Sequence, residues 1–170
     1  SPATQTRAEA DAKTTGCMSC HVATDRHTMH ANPAVVLGCT DCHGGNATVV
    51  KAEGSEYKGP GAAGYVDAMN RAHVRPRYPA EWNSPASANP ERTYTLLNRE
   101  NPAFVRFINP SDYRVAREAC GACHLPVIQA AERSIMATGA MLFNGAAYNN
   151  GILPFKHGVL GEAYTREGEA

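Results

Sequence analysis

The sequence of 170 residues lacks several features that would assign it to a common class of protein. It has no apolar run of about 18 residues, so no membrane-spanning helix is expected. No basic run or recognition motif stands out and the formal net charge is zero, which argues against a nucleic-acid partner. No long segment alternates apolar and polar residues, so we expect little or no β-sheet.

Large apolar side chains are also scarce. Leu, Ile and Phe are sparse, Trp occurs once, and much of the 43% hydrophobic content is alanine, which fills little volume. A core made from these side chains alone would be small. We therefore expect something other than side chains to supply much of the core.

No cysteine lies outside one motif that occurs three times. Each copy reads C-x-x-C-H, and the copies comprise Cys17, Cys20 and His21; Cys39, Cys42 and His43; and Cys120, Cys123 and His124. This pattern is the attachment signature of c-type haem. The two thiols can add to the two vinyl groups of one porphyrin, and the histidine that follows can bind the iron. The sequence therefore predicts three covalently attached haem c groups, which would also supply the missing apolar bulk.

Other interpretations of the cysteines fit less well. A zinc site closes with four ligands, usually from two C-x-x-C pairs, and three pairs do not divide evenly into such sites. A thioredoxin-like redox pair lies in a βαβ unit, which the sequence does not suggest. Disulfides within the C-x-x-C loops would leave three adjacent histidines unexplained.

Each haem iron also needs a sixth ligand or keeps an open position. The histidines outside the motifs are His27, His30, His73 and His157. We expect His30 to ligate, with His27 as the alternative, because His27 is closer in sequence to the first motif and has less reach across a ring. We expect His73 to be a second ligand and His157 to serve the third haem, where Met136 or Met141 is an alternative.

Bis-histidine ligation leaves no free coordination site, which favours an electron carrier without catalytic residues over an enzyme. The alternative is a small multihaem reductase with one open-coordinate haem. Carbon monoxide or nitrite binding would distinguish the two.

The chain is predicted to form one triheme domain, residues 1–170, in a mostly irregular fold with short α-helices. Its parts are a two-haem part at 1–75, a proline-rich extended wrap at 76–110 and a third-haem part at 111–170. Short helices are expected over 8–13, ended by Gly16, and over 65–72. A helix capped by Ser111 should run from Asp112 into the third motif, another should cover 127–142 after Pro126, and 46–64 and 143–160 should be loops.

Arginines are concentrated in the middle of the chain. Eight of the 12 lie between Arg71 and Arg117, where only four acidic residues occur. Arginine pairs well with carboxylates, so these side chains are candidates to bind the haem propionates. The alternative is a solvated loop surface. Without haem we expect the protein to be mostly unfolded, because cofactor binding supplies the folding free energy.

The chain resembles multihaem c-type cytochromes at several places. These are residues 16–21, 28–30, 38–45, 72–77, 119–124 and 148–151, which read GCMSCH, TMH, GCTDCHGG, AHVRPR, ACGACH and YNNG. Together they are similar to the N-terminal part of large multihaem cytochromes of bacterial envelopes. The resemblance implies electron relay across or outside the envelope. It leaves open whether the chain is a natural short form, a processed fragment or a subunit of a larger assembly or filament.

Location and partners follow from the same chemistry. Covalent haem attachment takes place outside the cytoplasm, and the start Ser1-Pro2-Ala3-Thr4 looks like a processed terminus, so we expect the periplasm or the cell surface. Redox proteins, including other multihaem cytochromes, are the expected partners, and a homo-oligomer is possible. We expect three contiguous haems rather than a third haem in a separate lobe.

Overall fold

The computed structural model describes residues 1–21, 25–26, 28–52, 63–79, 99–134, 136–137 and 139–155. Within these ranges the chain is helical and irregular, and no β-strand occurs. The helices are α1 (Arg7–Ala12), α2 (Thr15–Met18), α3 (Cys39–His43), α4 (Ala63–Ala72), α5 (Pro102–Ile108), α6 (Ala116–Glu132) and α7 (Ala140–Asn149). The expectation of short helices without a sheet is confirmed for these ranges.

Helix α1 begins at a capping box. The Glu9 backbone N–H donates to Thr6 Oγ1 at 3.3 Å, and the Thr6 N–H donates to Glu9 Oε2 at 2.7 Å. The predicted helix over 8–13 is thus confirmed, but the predicted stop at Gly16 is wrong. The helix ends at Ala12, and Gly16 lies inside α2, where a Cβ atom would come within 2.2 Å of the Ala47 carbonyl oxygen. This glycine allows close backbone approach instead of ending a helix.

The prediction for 65–72 is confirmed by α4, after which His73 follows directly. The prediction that 76–110 is extended is wrong in its last part, because α5 forms there. Pro102 stands at the first position of α5, where its missing N–H would have had no helical partner, and Asn101 Oδ1 accepts the Ala103 N–H at 3.0 Å. Residues 80–98 of the predicted wrap, which include Trp82 and Tyr94, lie outside the described residues.

The start of α6 differs from the prediction. Ser111 Oγ donates to Asn109 Oδ1 at 2.7 Å and caps no helix. Asp112 accepts the Arg114 N–H at 3.0 Å, so a turn precedes the helix, which begins at Ala116. The break expected near Pro126 is present as a kink at His124, where φ is −114° and ψ is 16°.

Two further predictions near the C-terminus need correction. The helix expected over 127–142 ends at Glu132, and a new helix, α7, occupies 140–149, much of which was expected to be loop. Ser134 caps the end of α6 by donating from Oγ to the Ala131 carbonyl at 2.7 Å. Gly145 and the two asparagines at 149–150 suggested a loop. Alanine, leucine and methionine in the segment that follows Gly139 favour a helix instead.

The chain divides into two compact units, Ser1–Cys123 and His124–Ala170. In the first unit the buried apolar residues include Ala10, Phe104, Val105, Val115, Ala116 and Ala119. Among the described residues, only Phe104 is a large side chain with essentially no exposed surface. In the second unit Ile128, Ala140 and Ala147 are buried. The protein cores are therefore as small as the composition predicts.

None of the helices in the described ranges combines the length and apolarity needed to cross a membrane.

Candidate functional site

The first motif is held by the segment that follows the second motif. Gly16, one residue before Cys17, donates its N–H to the Ala47 carbonyl at 2.9 Å. Within the motif, Ser19 Oγ donates to the Gly16 carbonyl at 2.6 Å and accepts the Lys51 N–H at 2.8 Å. Residues far apart in sequence thus fix the backbone that presents Cys17.

His21 has a carboxylate on one ring nitrogen. Its Nδ1 lies 2.6 Å from Asp25 Oδ2, and the two side chains are 47% and 53% exposed. A carboxylate accepts hydrogen bonds only, so Nδ1 carries the hydrogen and Nε2 of neutral His21 keeps its lone pair. A carboxylate behind a ligating histidine is a common arrangement in metal sites, where it orients the ring.

The second motif forms helix α3 and contains a buried carboxylate. The Asp41 side chain is 4% exposed and accepts hydrogen bonds from Lys13 Nζ at 2.7 Å, Gln5 Nε2 at 2.5 Å and the Gly38 N–H at 2.8 Å. Burial alone would raise the pKa of Asp41, but these three donors outweigh it and the pKa is lowered. The motif is therefore tied to α1 and the residues before it.

His43 is oriented by a backbone carbonyl. Its Nδ1 lies 2.7 Å from the Phe107 carbonyl oxygen. Because a carbonyl cannot donate, Nδ1 must carry the hydrogen, and Nε2 of the neutral ring keeps a lone pair. In both His21 and His43, Nδ1 is therefore the hydrogen-bond donor, and Nε2 keeps the lone pair that can bind a metal.

His73 is brought to this region by the backbone after the second motif. The Ala72 carbonyl accepts the Asn46 N–H at 2.8 Å. Gly45 has φ +80°, and a Cβ atom there would lie 2.8 Å from the same carbonyl, so this residue must be a glycine on both counts. The His73 ring centroid lies 4.9 Å from that of Phe107 and 6.1 Å from that of His21.

The His73 ring is half-buried and keeps an unsatisfied nitrogen. Its Nδ1 is buried and has no hydrogen-bond partner among the described residues. Burial, followed by the neighbouring His21 and Arg75, lowers the pKa of His73 and favours the neutral imidazole. Neutral imidazole is the form that binds metals.

The third motif lies on α6. Cys120 and Cys123 are on the helix, and His124 is the residue at the kink. Arg106 joins this helix to the second motif. Its guanidinium donates to the Cys42 carbonyl at 2.9 Å and the Asp41 carbonyl at 2.7 Å, and it pairs with the Glu118 carboxylate.

The thiols of successive motifs are neighbours in the first unit. A hydrogen bond with Cys39, followed by burial, raises the pKa of the Cys17 thiol. Burial raises the pKa of the Cys42 thiol, and Cys120 adds to this effect. All six cysteines are free thiols. Within the described ranges, no three His, Cys, Asp or Glu side chains converge as ligands of one metal ion.

The remaining predicted ligands are placed less fully. His30 is half-buried, and its backbone N–H donates to Thr28 Oγ1 at 3.1 Å. Met136 and Met141 are exposed. His27 and His157 lie outside the described residues.

Sequence reasoning missed the residues that hold the histidines. Asp25 could have been noticed, since it follows His21 by four residues and carries a charge. The Phe107 carbonyl and the Arg106 contact with Cys42 have no signal in the sequence, because they join residues 64 positions apart.

Comparison with known proteins gave no match, whether with protein-family models, curated proteins or solved structures. The case for a function therefore depends on the residues of this chain.

Proposed function

We propose that this protein is an electron carrier that binds three haem c groups covalently, at Cys17 and Cys20, Cys39 and Cys42, and Cys120 and Cys123. The orientation of His43 carries the proposal. Its Nδ1 is committed to the Phe107 carbonyl, so Nε2 of the neutral ring keeps a lone pair, one residue after Cys42 of the motif. His21 repeats this arrangement with Asp25 as its partner. Disulfide bonds between the cysteines would not require the histidines to be oriented in this way. A zinc site needs four ligands to converge, and within the described ranges no three His, Cys, Asp or Glu side chains do so.

The chain's residues have distinct roles in this proposal. The cysteines anchor the porphyrins, and His21, His43 and His124 bind the irons. Second axial ligands come from His30, His73 and His157, with His27 as the alternative to His30. Bound haem supplies reversible one-electron chemistry at iron. Histidine on both sides of an iron excludes substrates from it, which favours electron transfer over reduction of a small molecule.

The small protein core also supports the proposal. Phe104 is the one large, fully buried side chain among the described residues, whereas many large apolar side chains are exposed. Haem would cover apolar surface that the protein itself leaves in contact with water. The proposed setting is the periplasm or cell surface, with redox proteins such as other multihaem cytochromes as partners, or a homo-oligomer or filament.

The test is to produce the chain in a bacterial host that attaches haem c and to count covalent haem by mass and by the pyridine haemochrome spectrum. We expect three haems per chain and a six-coordinate, low-spin spectrum that titrates reversibly with potential. The Cys39→Ser/Cys42→Ser variant should carry two haems.

Carbon monoxide or nitrite should leave the reduced spectrum unchanged. A ligand-induced change equivalent to one haem would favour the reductase. A chain that carries no covalent haem in this host would overturn the proposal.

A further inference from the structure

We infer that His73 is the second axial ligand of the iron at the first motif, so that His21 and His73 bind opposite sides of one haem. This inference rests on the proposed function and adds which histidines are paired. The sequence leaves the pairing open, since His73 is 52 residues from His21 and only 30 from His43.

The first support is the distance between the two rings. A histidine nitrogen lies about 2 Å from a bound transition metal, so two imidazoles on opposite sides of one metal have centroids roughly 6 Å apart. The His21 and His73 centroids are 6.1 Å apart. Rings that share an axis through a metal can have any relative twist, so the interplanar angle of 42° is compatible.

The distance alone would also suit an ordinary aromatic pair, since such pairs have centroids about 4.5–7 Å apart. The unsatisfied nitrogen of His73 distinguishes the two. A buried polar atom without a partner costs about 1–3 kcal/mol, so a protein rarely leaves one without a reason. His73 has such an atom at Nδ1 among the described residues, next to the motif histidine. A metal bound by this His73 nitrogen and by Nε2 of His21 would give His73 Nδ1 the partner that the described residues do not.

The surroundings of the pair are built to hold both rings. Asp25 orients His21 at 2.6 Å. The hydrogen bond from Asn46 to the Ala72 carbonyl and the contact of Phe107 with the ring fix His73. Both supports of His73 come from regions that also serve the second motif, because Phe107 holds His43 through its carbonyl. The second ligand of the first haem is thus positioned by the structure around the second haem.

The experiment places His73→Ala in three backgrounds of the haem-loaded protein: the parent, Cys17→Ser/Cys20→Ser and Cys39→Ser/Cys42→Ser. High-spin haem is measured by electron paramagnetic resonance. In the parent, His73→Ala should add a high-spin signal equivalent to one haem, and added imidazole should remove it. The signal should remain in the background that lacks the second haem and be absent in the background that lacks the first.

His30→Ala is the matched control. Because His21 and His73 are inferred to bind the first iron, His30 should bind another one. The high-spin signal of His30→Ala should therefore persist when the first haem is missing, whereas that of His73→Ala should not. Where His73→Ala fails to fold, His73→Met keeps a ligand and should raise the reduction potential of one haem, but not in the Cys17→Ser/Cys20→Ser background.

The outcomes separate the two proposals. A parent protein without covalent haem refutes the proposed function. A parent with three haems, in which the His73→Ala signal persists without the first haem or disappears without the second, overturns only the pairing of His21 with His73.

Discussion

At the residue scale, Asp41 is the least expected feature. It occupies a variable position of the second motif, and a charged side chain there would ordinarily face solvent. Instead its carboxylate is buried and bonded to Lys13, Gln5 and the Gly38 N–H. The motif therefore carries its own anchor to the rest of the chain as well as the residues proposed to bind haem.

We predict that Asp41→Asn lowers the free energy of unfolding at pH 7 by about 1–3 kcal/mol, because Lys13 and the Gly38 N–H lose their charged acceptor. The pKa of Asp41 is lowered on folding, so its stabilisation is present above the ordinary carboxyl pKa of about 4 and is lost as the pH falls through the folded value. The difference between parent and variant should therefore shrink in acid, as measured by denaturant unfolding at several pH values.

Asp67→Asn is the control for this prediction. Asp67 pairs with Arg71 on α4 through side chains that are 69% and 63% exposed, and such pairs contribute little. Equal effects of the two variants at pH 7 would contradict the role given to Asp41.

The same scale shows how far sequence reasoning reaches into the site. The sequence predicts the motif residues because covalent haem attachment requires a fixed local spacing, and it predicts His73 as a ligand because a helix should end beside it; both stay predictions. The contact between the His73 and His21 rings could not be predicted from the sequence. It depends on where Ala72 and Asn46 meet, and that contact joins residues 26 positions apart without any local pattern.

At the element scale, predictions succeeded where local signals agreed. The Thr6–Glu9 capping box and the pattern of α4 specify their helices without help from the rest of the chain. Helix α5 was missed because six prolines in 76–110 suggested extended chain, although Pro102 stands where a helix tolerates it. Burial of Phe104 and Val105 then favours the helix, and burial cannot be read from a local window.

Arg106 on α5 gives a test of how the elements are joined. Its guanidinium bonds two carbonyls of the second motif and pairs with Glu118 on α6. We predict that Arg106→Met lowers the free energy of unfolding by about 1–3 kcal/mol, since the partly buried carbonyls of Asp41 and Cys42 lose their donors. Denaturant unfolding of the haem-loaded protein measures the change.

Arg114→Met is the matched control, because the Arg114 side chain is 36% exposed against 16% for Arg106 and pairs with Asp112 two residues away. Arg114→Met should lower the free energy of unfolding by clearly less than Arg106→Met does. A larger loss for Arg114→Met than for Arg106→Met would argue that Arg106 does not join α3 to α6.

At the scale of the whole molecule, the expected contiguous arrangement of three haems remains a prediction. It is favoured by the hydrogen bond between the Cys17 and Cys39 thiols, and by Cys120 being near enough to raise the pKa of Cys42. We expect spin coupling between neighbouring oxidised haems in electron paramagnetic resonance spectra. Coupling should weaken in Cys39→Ser/Cys42→Ser, which lacks the middle haem. Three magnetically isolated signals in the parent would rule the arrangement out.

The unequal partners of His21 and His43 have a consequence for the direction of electron flow. Asp25 draws the Nδ1 hydrogen of His21 more strongly than the neutral Phe107 carbonyl draws that of His43, which would make His21 the stronger electron donor to the iron of the proposed haem. The first haem should therefore have a more negative reduction potential than the second, and transfer of electrons from the first haem to the second would be favourable. Asp25→Asn should raise the reduction potential of the first haem in a redox titration. The difference in potential between the first and second haems would then be smaller, and electron transfer between them would have less preference for one direction.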